Sequence, residues 1–560
     1  MSFTPLKSPP LPPENELPEF VLPTVLPDDM GLLKSLLQAQ QDAIGAIRQQ
    51  AMQQALHEAR QVAMREAHDY IIRMIEQSVL ARHRLFGASS EQLAGQGRLF
   101  DEAEVLAQSS TDEQDIAAVP AETAPDVQEG KTPKSRGKRA PLSPALKRVD
   151  VIHDVPEHGR TCPCGTPMVE IGQDVSEQLD IVPMQVRVLR HIRKRYGCPG
   201  SGHAPVTAAL PPQPLPKSNA SADFLAMLLT VKYVDGLPLA RFENVLERHG
   251  APVPRQTLAR WVIGAGRVLQ PLHNLMRDAL LDGAVIHMDE TVVQVLKEAG
   301  RKASSQSYMW VQTGGPPDKP VILYDYDPSR SAEVPLRLLS DYQGYLMTDG
   351  YTGYNKLAHI KGVEHLVCFA HVRRRFVEAA RVQPKGKRGR ADEAIDLIGK
   401  LYGIESAHRD ATVEARSLAR QRLSVPALAA LKDWMDKTLP TVTPKSALGK
   451  ALAYMAKYWD RLTRYAERGD LPIDNNRCEN AIRPFVVGRK AWLFSDTPAG
   501  AHASAVIYSL VETAKANGLE PYTWLRRVMR SLPLAKTVDE VEALLPWNLH
   551  THDLASETVP

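Results

Sequence analysis

Residues 284–296 read AVIHMDETVVQVL, and the fold class turns on this stretch. Before it, apolar residues recur at helical spacing. Here they alternate with polar ones, which is the period of a strand with one buried face. AVIHM (284–288) and TVVQVL (291–296) read as short apolar strands, and SYMWVQ (307–312) and VILYDY (321–326) continue the pattern. AEVPLRLLSDY (332–342) reads as a helix, and GYLMTDG (344–350) and HLVCFAH (365–371) as two further strands.

Three meandering strands followed by helix, strand, helix, strand and helix is the order of a mixed five-stranded α/β sheet of the ribonuclease-H type. On that reading Asp289 ends the first strand and Asp349 follows the fourth. Strand alternation sends Ile286, Met288 and Glu290 to one face and His287 and Asp289 to the other. Adjacent parallel strands bring their C-terminal ends together, so Asp289 and Asp349 are expected side by side. Two close carboxylates repel unless a cation neutralises them or one keeps a proton. Hard oxygen donors favour Mg2+ or Mn2+.

A third acid sits in DNNRCENAIRPFVVGRKAWLF (474–494). Glu479 is the lone carboxylate between Arg477 and Arg483, with Arg489 and Lys490 beyond. Asp474 is the expected N-cap of a helix, and Asn476, Glu479 and Arg483 then share one face. Glu479 is the candidate metal ligand, and Arg483, Arg489 and Lys490 are candidate phosphate contacts. The plainer alternative is an i,i+4 Glu479–Arg483 pair worth about a few tenths of a kcal/mol.

The rest of the chain sets the context. Its 560 residues are too many for one core. Apolar content of 43%, charged content of 24% and a net charge of +3 describe a soluble globular protein with no global basicity. No apolar run approaches the ~20 residues of a membrane span. The proline-rich, acidic N-terminus is no signal peptide, and five cysteines make no disulfide framework, so a reducing cytoplasm is expected.

Along the chain, 1–27 reads as a disordered proline-rich tail and 28–86 as a long helix. Leu33, Leu37, Ile44, Ile47 and Ala51, then Ile71, Met74, Ile75 and Ser78, keep a 3/4 spacing suited to coiled-coil pairing. Residues 87–148 form a linker, acidic and then basic; its basic end is a candidate arm along DNA. Residues 149–212 resemble a zinc ribbon, with TCPCG (161–165), a strand-like VRVLRHIRKRY (186–196) and YGCPGSGH (196–203). Cys162, Cys164, Cys198 and His203 are the candidate zinc ligands, with His158 as a substitute. Residues 213–275 read as a helix-turn-helix-like module in which Arg255, Gln256 and Arg260 face DNA. The α/β core spans 276–385 and 468–532, interrupted by a helical insertion at 386–467. A C-terminal helix and tail occupy 533–560.

HMDET, TDGYTGYNKL, CFAHVRRRF and the long C-terminal stretch from NNRCENAIRPFVVGRKAWLFS to ANGLEPYTWL closely resemble the insertion-sequence-66 family of DDE transposases. The resemblance covers roughly residues 80–530. It implies a ribonuclease-H-like catalytic core whose metal-binding Asp, Asp and Glu fall on Asp289, Asp349 and Glu479. It also implies a leucine-zipper-like helix, a zinc-finger-like module and a helix-turn-helix. The cysteine module departs from the pattern in lacking two clean Cys-x-x-Cys knuckles, and Cys478 stands where the family more often has alanine.

The implied chemistry is phosphoryl transfer by two Mg2+ ions about 3.5–4 Å apart, cutting the ends of an insertion element and joining them to target DNA. Double-stranded DNA, a second copy of the chain and small accessory proteins are the implied partners. The implied location is the bacterial cytoplasm, at the nucleoid when DNA is bound. Arg373 and Arg374 are candidate phosphate contacts, Tyr351 and Tyr354 candidate base-stacking or metal-flanking residues, and His371 a candidate proton carrier. Two other readings use the same residues: a metal-dependent nuclease without strand transfer, and a catalytically inactive DNA-binding regulator.

Overall fold

A computed structural model describes residues 29–86, 184–196, 206–383, 388–551 and 554. The N-terminal tail, the charged linker and the candidate zinc ligands Cys162, Cys164, Cys198 and His203 (with His158) lie outside these residues.

The long helix is present as α1, Met30–Phe86. Leu37, Ile44, Ile47, Ile71, Met74 and Ile75 are exposed along it. The strand expected over 186–196 is reduced to a two-residue ladder, in which β1 (Arg195–Tyr196) pairs with β2 (Val206–Thr207). Among the described residues Val188 and Ile192 stand exposed, so alternation alone forms no strand there.

Between β2 and the larger sheet the described helices are α2 (Ala222–Tyr233), α3 (Leu239–Arg248), α4 (Arg255–Val268) and α5 (Gln270–Leu281). Gly250, at a positive φ of 76°, makes the turn between α3 and α4, where only glycine sits without strain.

The sheet is five-stranded and mixed, in the order β5-β4-β3-β6-β7. Its strands are β3 (Val285–Gln294), β4 (Gln306–Gly314), β5 (Val321–Asp327), β6 (Gly344–Thr348) and β7 (Val363–Val367). β3 runs antiparallel to β4 and parallel to β6, and β6 runs parallel to β7. The two short strands expected within 284–296 are one. Asp289 therefore lies mid-strand, beyond the last β6 pair, while β4 continues to pair with β3 through Gln294. The HLVCFAH strand is cut short as well. β7 stops at Val367, Cys368 caps a helix, and α7 (Phe369–Arg381) begins there, after the short α6 (Glu333–Leu338).

The insertion is helical: α8 (Arg390–Ala407), α9 (Val413–Ala419), α10 (Val425–Thr438), α11 (Ala447–Lys457) and α12 (Trp459–Thr463). Its Ile398, Leu401, Leu431, Leu452 and Met455 share a buried cluster with Leu366, Phe369, Val372 and Phe376. The insertion is thus one core with the β7 side of the sheet. Glu76 of α1 accepts the Ala447 amide at 2.9 Å, at the start of α11.

α13 (Asn476–Trp492) returns to the sheet, and its two ends are tied to β3. Beyond its C-terminus Ser495 accepts the Leu296 amide at 3.0 Å and donates its own to Gln294 at 2.9 Å. α14 (Pro498–Ala516) then lies on the sheet. Its Ser509 and Thr513 hydroxyls accept the Tyr324 and Ile322 amides of β5 at 2.8 and 3.0 Å. A Cβ on Gly266 of α4 would stand 2.7 Å from Cβ of Ala503, so the glycine permits this close helix crossing. α15 (Pro521–Ser531) and α16 (Val538–Glu542) complete the described helices.

Gly350 follows Asp349 at φ +81°, and a Cβ there would lie 2.7 Å from the Tyr454 hydroxyl. Tyr454 donates to the Asp349 carbonyl and Tyr458 to the Gly350 carbonyl at 2.7 Å. The insertion thereby fixes the turn that presents Asp349. Gly350→Ala is expected to cost about 1–3 kcal/mol in urea unfolding, with weaker divalent-ion binding in the same sample.

Candidate active site

The acid-bearing elements meet through their backbones first. β3 and β6 pair with Val285 opposite Tyr345 and His287 opposite Met347. The offset is 60 in both pairs (345 − 285 and 347 − 287), and continuing it puts Asp289 level with Asp349. Asp289 Oδ1 accepts the Glu290 amide at 2.8 Å, and Asp349 Oδ1 accepts the Tyr351 amide at 2.8 Å.

Glu479 reaches this point because the entry to α13 is clamped. Asn475 is fully buried. Its side chain bonds the His287 ring at 3.1 Å and donates to the Met288 carbonyl at 3.1 Å, both on β3. Its backbone amide donates to Cys368 Sγ at 3.1 Å, at the head of α7. Asn475, not Asp474, is the helix cap position. Asp474 stands one residue earlier and accepts the Asn476 amide at 3.1 Å. Both residues suit a helix entry, and the buried bonds to β3 decide between them.

Burial pushes the Asp289 carboxyl well above the usual carboxylate range, and the neighbouring charges of Glu290, Asp349 and Glu479 push it in the same direction. Glu290 points to the other face, where its side chain is 1% exposed. There it accepts Tyr354 Oη at 2.5 Å and Arg330 Nε at 2.6 Å. Glu290 is therefore neutralised by protein groups, unlike Asp289. Arg330 lies over the Tyr351 ring at 3.9 Å. Tyr354 is fully buried, which removes it as a base-stacking residue and leaves it beside the acids.

Glu479 does not pair with Arg483. Its Oε2 takes Arg374 Nη2 at 3.3 Å, and its Oε1 faces His371 Nδ1 at 3.7 Å. Arg483 turns towards a cleft shared with Tyr233, Asp235, Asn480 and Lys515. Arg489 is partly buried and donates to Thr291 Oγ1 on β3 at 3.3 Å. Lys490 and Arg374 are exposed, and Arg373 is half-buried on α7. Arg255, Gln256 and Arg260 are exposed on α4, where Glu243 of α3 accepts the Arg255 amide at 2.9 Å.

Arg330 and Asn475 have no counterpart among the residues singled out from sequence. Arg330 is 40 residues from its partner Glu290, and no spacing rule links them. Asn475 sits in the quoted 474–494 stretch, where the doubled Asn was the available signal.

The Transposase IS66 family model matches residues 217–503, just over half of the chain. The chain belongs to the IS66 transposase family. Further models match in the order expected of it: "Transposase C of IS166 homeodomain" over 73–151, the zinc-finger binding domain of transposase IS66 over 160–200, and the IS66 C-terminal element over 509–547. The zinc-finger match includes Cys162, Cys164 and Cys198 and stops short of His203. Among relatives, the chain is 30% identical to uncharacterized protein y4jD of Sinorhizobium fredii, across 79% of this chain and 89% of that protein. It is 30% identical to y4qI of the same organism, across 73% and 78%, and 26% identical to y4hP, across 83% and 86%. Family membership points to a DNA-cutting and DNA-transferring enzyme. No helix among the described residues is long and apolar enough to cross a membrane.

Among the described residues, the group of three acid or other metal-ligating side chains whose donor atoms lie within 4.8 Å of one another is Cys368, His371 and Glu479. Asp289 carries the mutual repulsion of several acids, and Glu479 Oε1 is buried with no hydrogen-bond partner. An unpaired carboxylate oxygen of this kind costs free energy that a bound cation would offset. The Asn475 clamp should be the most sensitive structural point of the site. Asn475→Ala strands the Met288 carbonyl and the His287 ring, and is expected to cost about 2–3 kcal/mol in urea unfolding. Mn2+ affinity measured by calorimetry should fall with it. Unchanged stability would separate the clamp from the site.

Proposed function

We propose that this IS66-family chain is a DDE transposase that cuts the ends of an insertion element and joins them to target DNA at Asp289, Asp349 and Glu479. The main support is electrostatic: the charges of Asp349 and Glu479, carried by a different strand end and a distant helix, both act on the Asp289 carboxyl. The order of the sheet, a three-strand antiparallel meander followed by two parallel strands, supports a ribonuclease-H-like core.

On this reading the three carboxylates hold divalent ions, Mg2+ or Mn2+. Such ions supply an activated nucleophile at neutral pH and charge stabilisation at the leaving oxygen. The chain's own residues do the rest. Asp289 lies mid-strand, where the antiparallel ladder with β4 holds its backbone. Glu290 cannot compete for ions, because Arg330 and Tyr354 occupy it. Arg374 stands beside Glu479, and it and Arg373 on the same helix are the proposed phosphate contacts. In cutting, a water oxygen–phosphorus bond forms as the phosphorus–O3′ bond breaks. In joining, the freed 3′-hydroxyl takes the place of water, and no covalent protein–DNA bond is needed.

DNA is the partner that family membership implies. Arg255, Gln256 and Arg260, together on the outer face of α4, are the proposed base and phosphate contacts of a helix-turn-helix. Cys162, Cys164, Cys198 and His203 are the proposed zinc ligands, thiolates and an imidazole of the kinds that Zn2+ takes. The apolar residues exposed along α1 suit pairing with a second copy.

Asp289→Asn removes the charge and keeps the shape. We expect cleavage and joining of a labelled element end with Mg2+ to fall by about a thousandfold or more, the equivalent of several kcal/mol of transition-state stabilisation. DNA binding in a gel-shift assay should be retained. Strand transfer by the variant at the wild-type rate would refute the assignment.

A further inference from the structure

Beside the three acids lies a group that they do not account for. His371 is in the first turn of α7, with its side chain mostly buried. Its Nδ1 faces Glu479 Oε1 at 3.7 Å, too far for a hydrogen bond. Both atoms are buried, and neither has a hydrogen-bond partner. Glu479 Oε2 is already taken by Arg374, so the oxygen left unsatisfied is the one turned to the imidazole. A buried nitrogen and a buried carboxylate oxygen that face each other without bonding are costly, unless a third body lies between them.

The spacing suits an ion as that body. Two donors each about 2.1–2.2 Å from a common ion stand about 3.0–3.8 Å apart for ligand angles of about 90–120°. The observed separation falls within that range. Cys368, His371 and Glu479 each offer a donor atom within 4.8 Å of the others. The cysteine is otherwise engaged: Cys368 Sγ accepts the Asn475 amide. That bond makes the cysteine part of the α7–α13 junction.

We propose that His371 Nδ1 is a direct ligand of the divalent ion held by Glu479, so that this position prefers Mn2+ to Mg2+. The proposal rests on the carboxylate reading above. Imidazole nitrogen suits borderline transition-metal ions, whereas Mg2+ demands oxygen donors. One position of the site then has a mixed nitrogen–oxygen donor set, and the Asp289–Asp349 side is all oxygen.

The test is pulsed electron paramagnetic resonance on the full-length protein loaded with Mn2+, alongside competition of Mn2+ against Mg2+. The wild type should show the 14N coupling of a coordinated imidazole, converted to 15N coupling when histidine is 15N-labelled. His371→Asn and His371→Gln should lose that coupling and still bind Mn2+. Their preference for Mn2+ over Mg2+ should fall about tenfold. Cys368→Ser should keep the coupling. Bound Mn2+ with no imidazole nitrogen in the wild-type spectrum overturns the proposal, whether or not the variants fold. So does coupling that survives in His371→Asn. If the wild type binds no Mn2+, or Asp289→Asn binds it equally well, the carboxylate reading itself has failed.

Discussion

The architecture depends on one buried asparagine. Asn475 is fully enclosed and bonds at once to the His287 ring, the Met288 carbonyl and Cys368 Sγ. Those partners belong to β3 and to the junction of β7 with α7. The bonds gather at one point the strand that carries Asp289, the helix that carries His371 and Arg374, and the helix that carries Glu479. Glu479 is 190 residues from Asp289 in sequence, and the whole helical insertion lies before it. A contact of such separation is expensive in chain entropy. It is held by buried hydrogen bonds from Asn475 to both neighbouring elements, and buried polar networks specify one geometry over others. The far end of α13 is tied to β3 by the Ser495 ladder and Arg489, so the helix can neither slide nor pivot freely.

Around that anchor the charges are sorted by face. Glu290 and Asp289 are consecutive, and both have carboxyls pushed upward by burial. Strand alternation sends them apart. Glu290 meets Arg330 and Tyr354, while Asp289 meets other acids. A protein built for stability alone would neutralise both. Leaving one side of β3 acidic and Glu479 Oε1 unpartnered is the kind of local cost that binding sites carry. The remaining stability comes from the continuous core beneath, where the insertion's Leu452 and Met455 pack with Phe369 and Phe376.

Much of this was legible in the sequence, and the exceptions are instructive. Alternation gave the strands, and Asp349 follows the fourth strand of the sheet as expected. The long helix was readable from the helix formers of 29–86 and the absence of proline between Pro27 and Pro120. The single strand over 285–294 was not, because two acids interrupt the apolar pattern, and only the distant Arg330 makes Glu290 tolerable inside it. CFAH extends an apolar run, and strand and helix look alike over so few residues. The pairing of Glu479 with Arg374 was hidden by a nearer cation, Arg483, at helical spacing. Local rules favour the local partner, and tertiary packing chose the remote one.

The central claim is that three acids remote in sequence jointly hold divalent ions. Its most direct test is anomalous diffraction from crystals of the protein grown with Mn2+ in place of Mg2+. The account predicts manganese peaks bounded by the carboxylates of Asp289, Asp349 and Glu479. Peaks elsewhere, or ions bound without one of these three side chains, would contradict it.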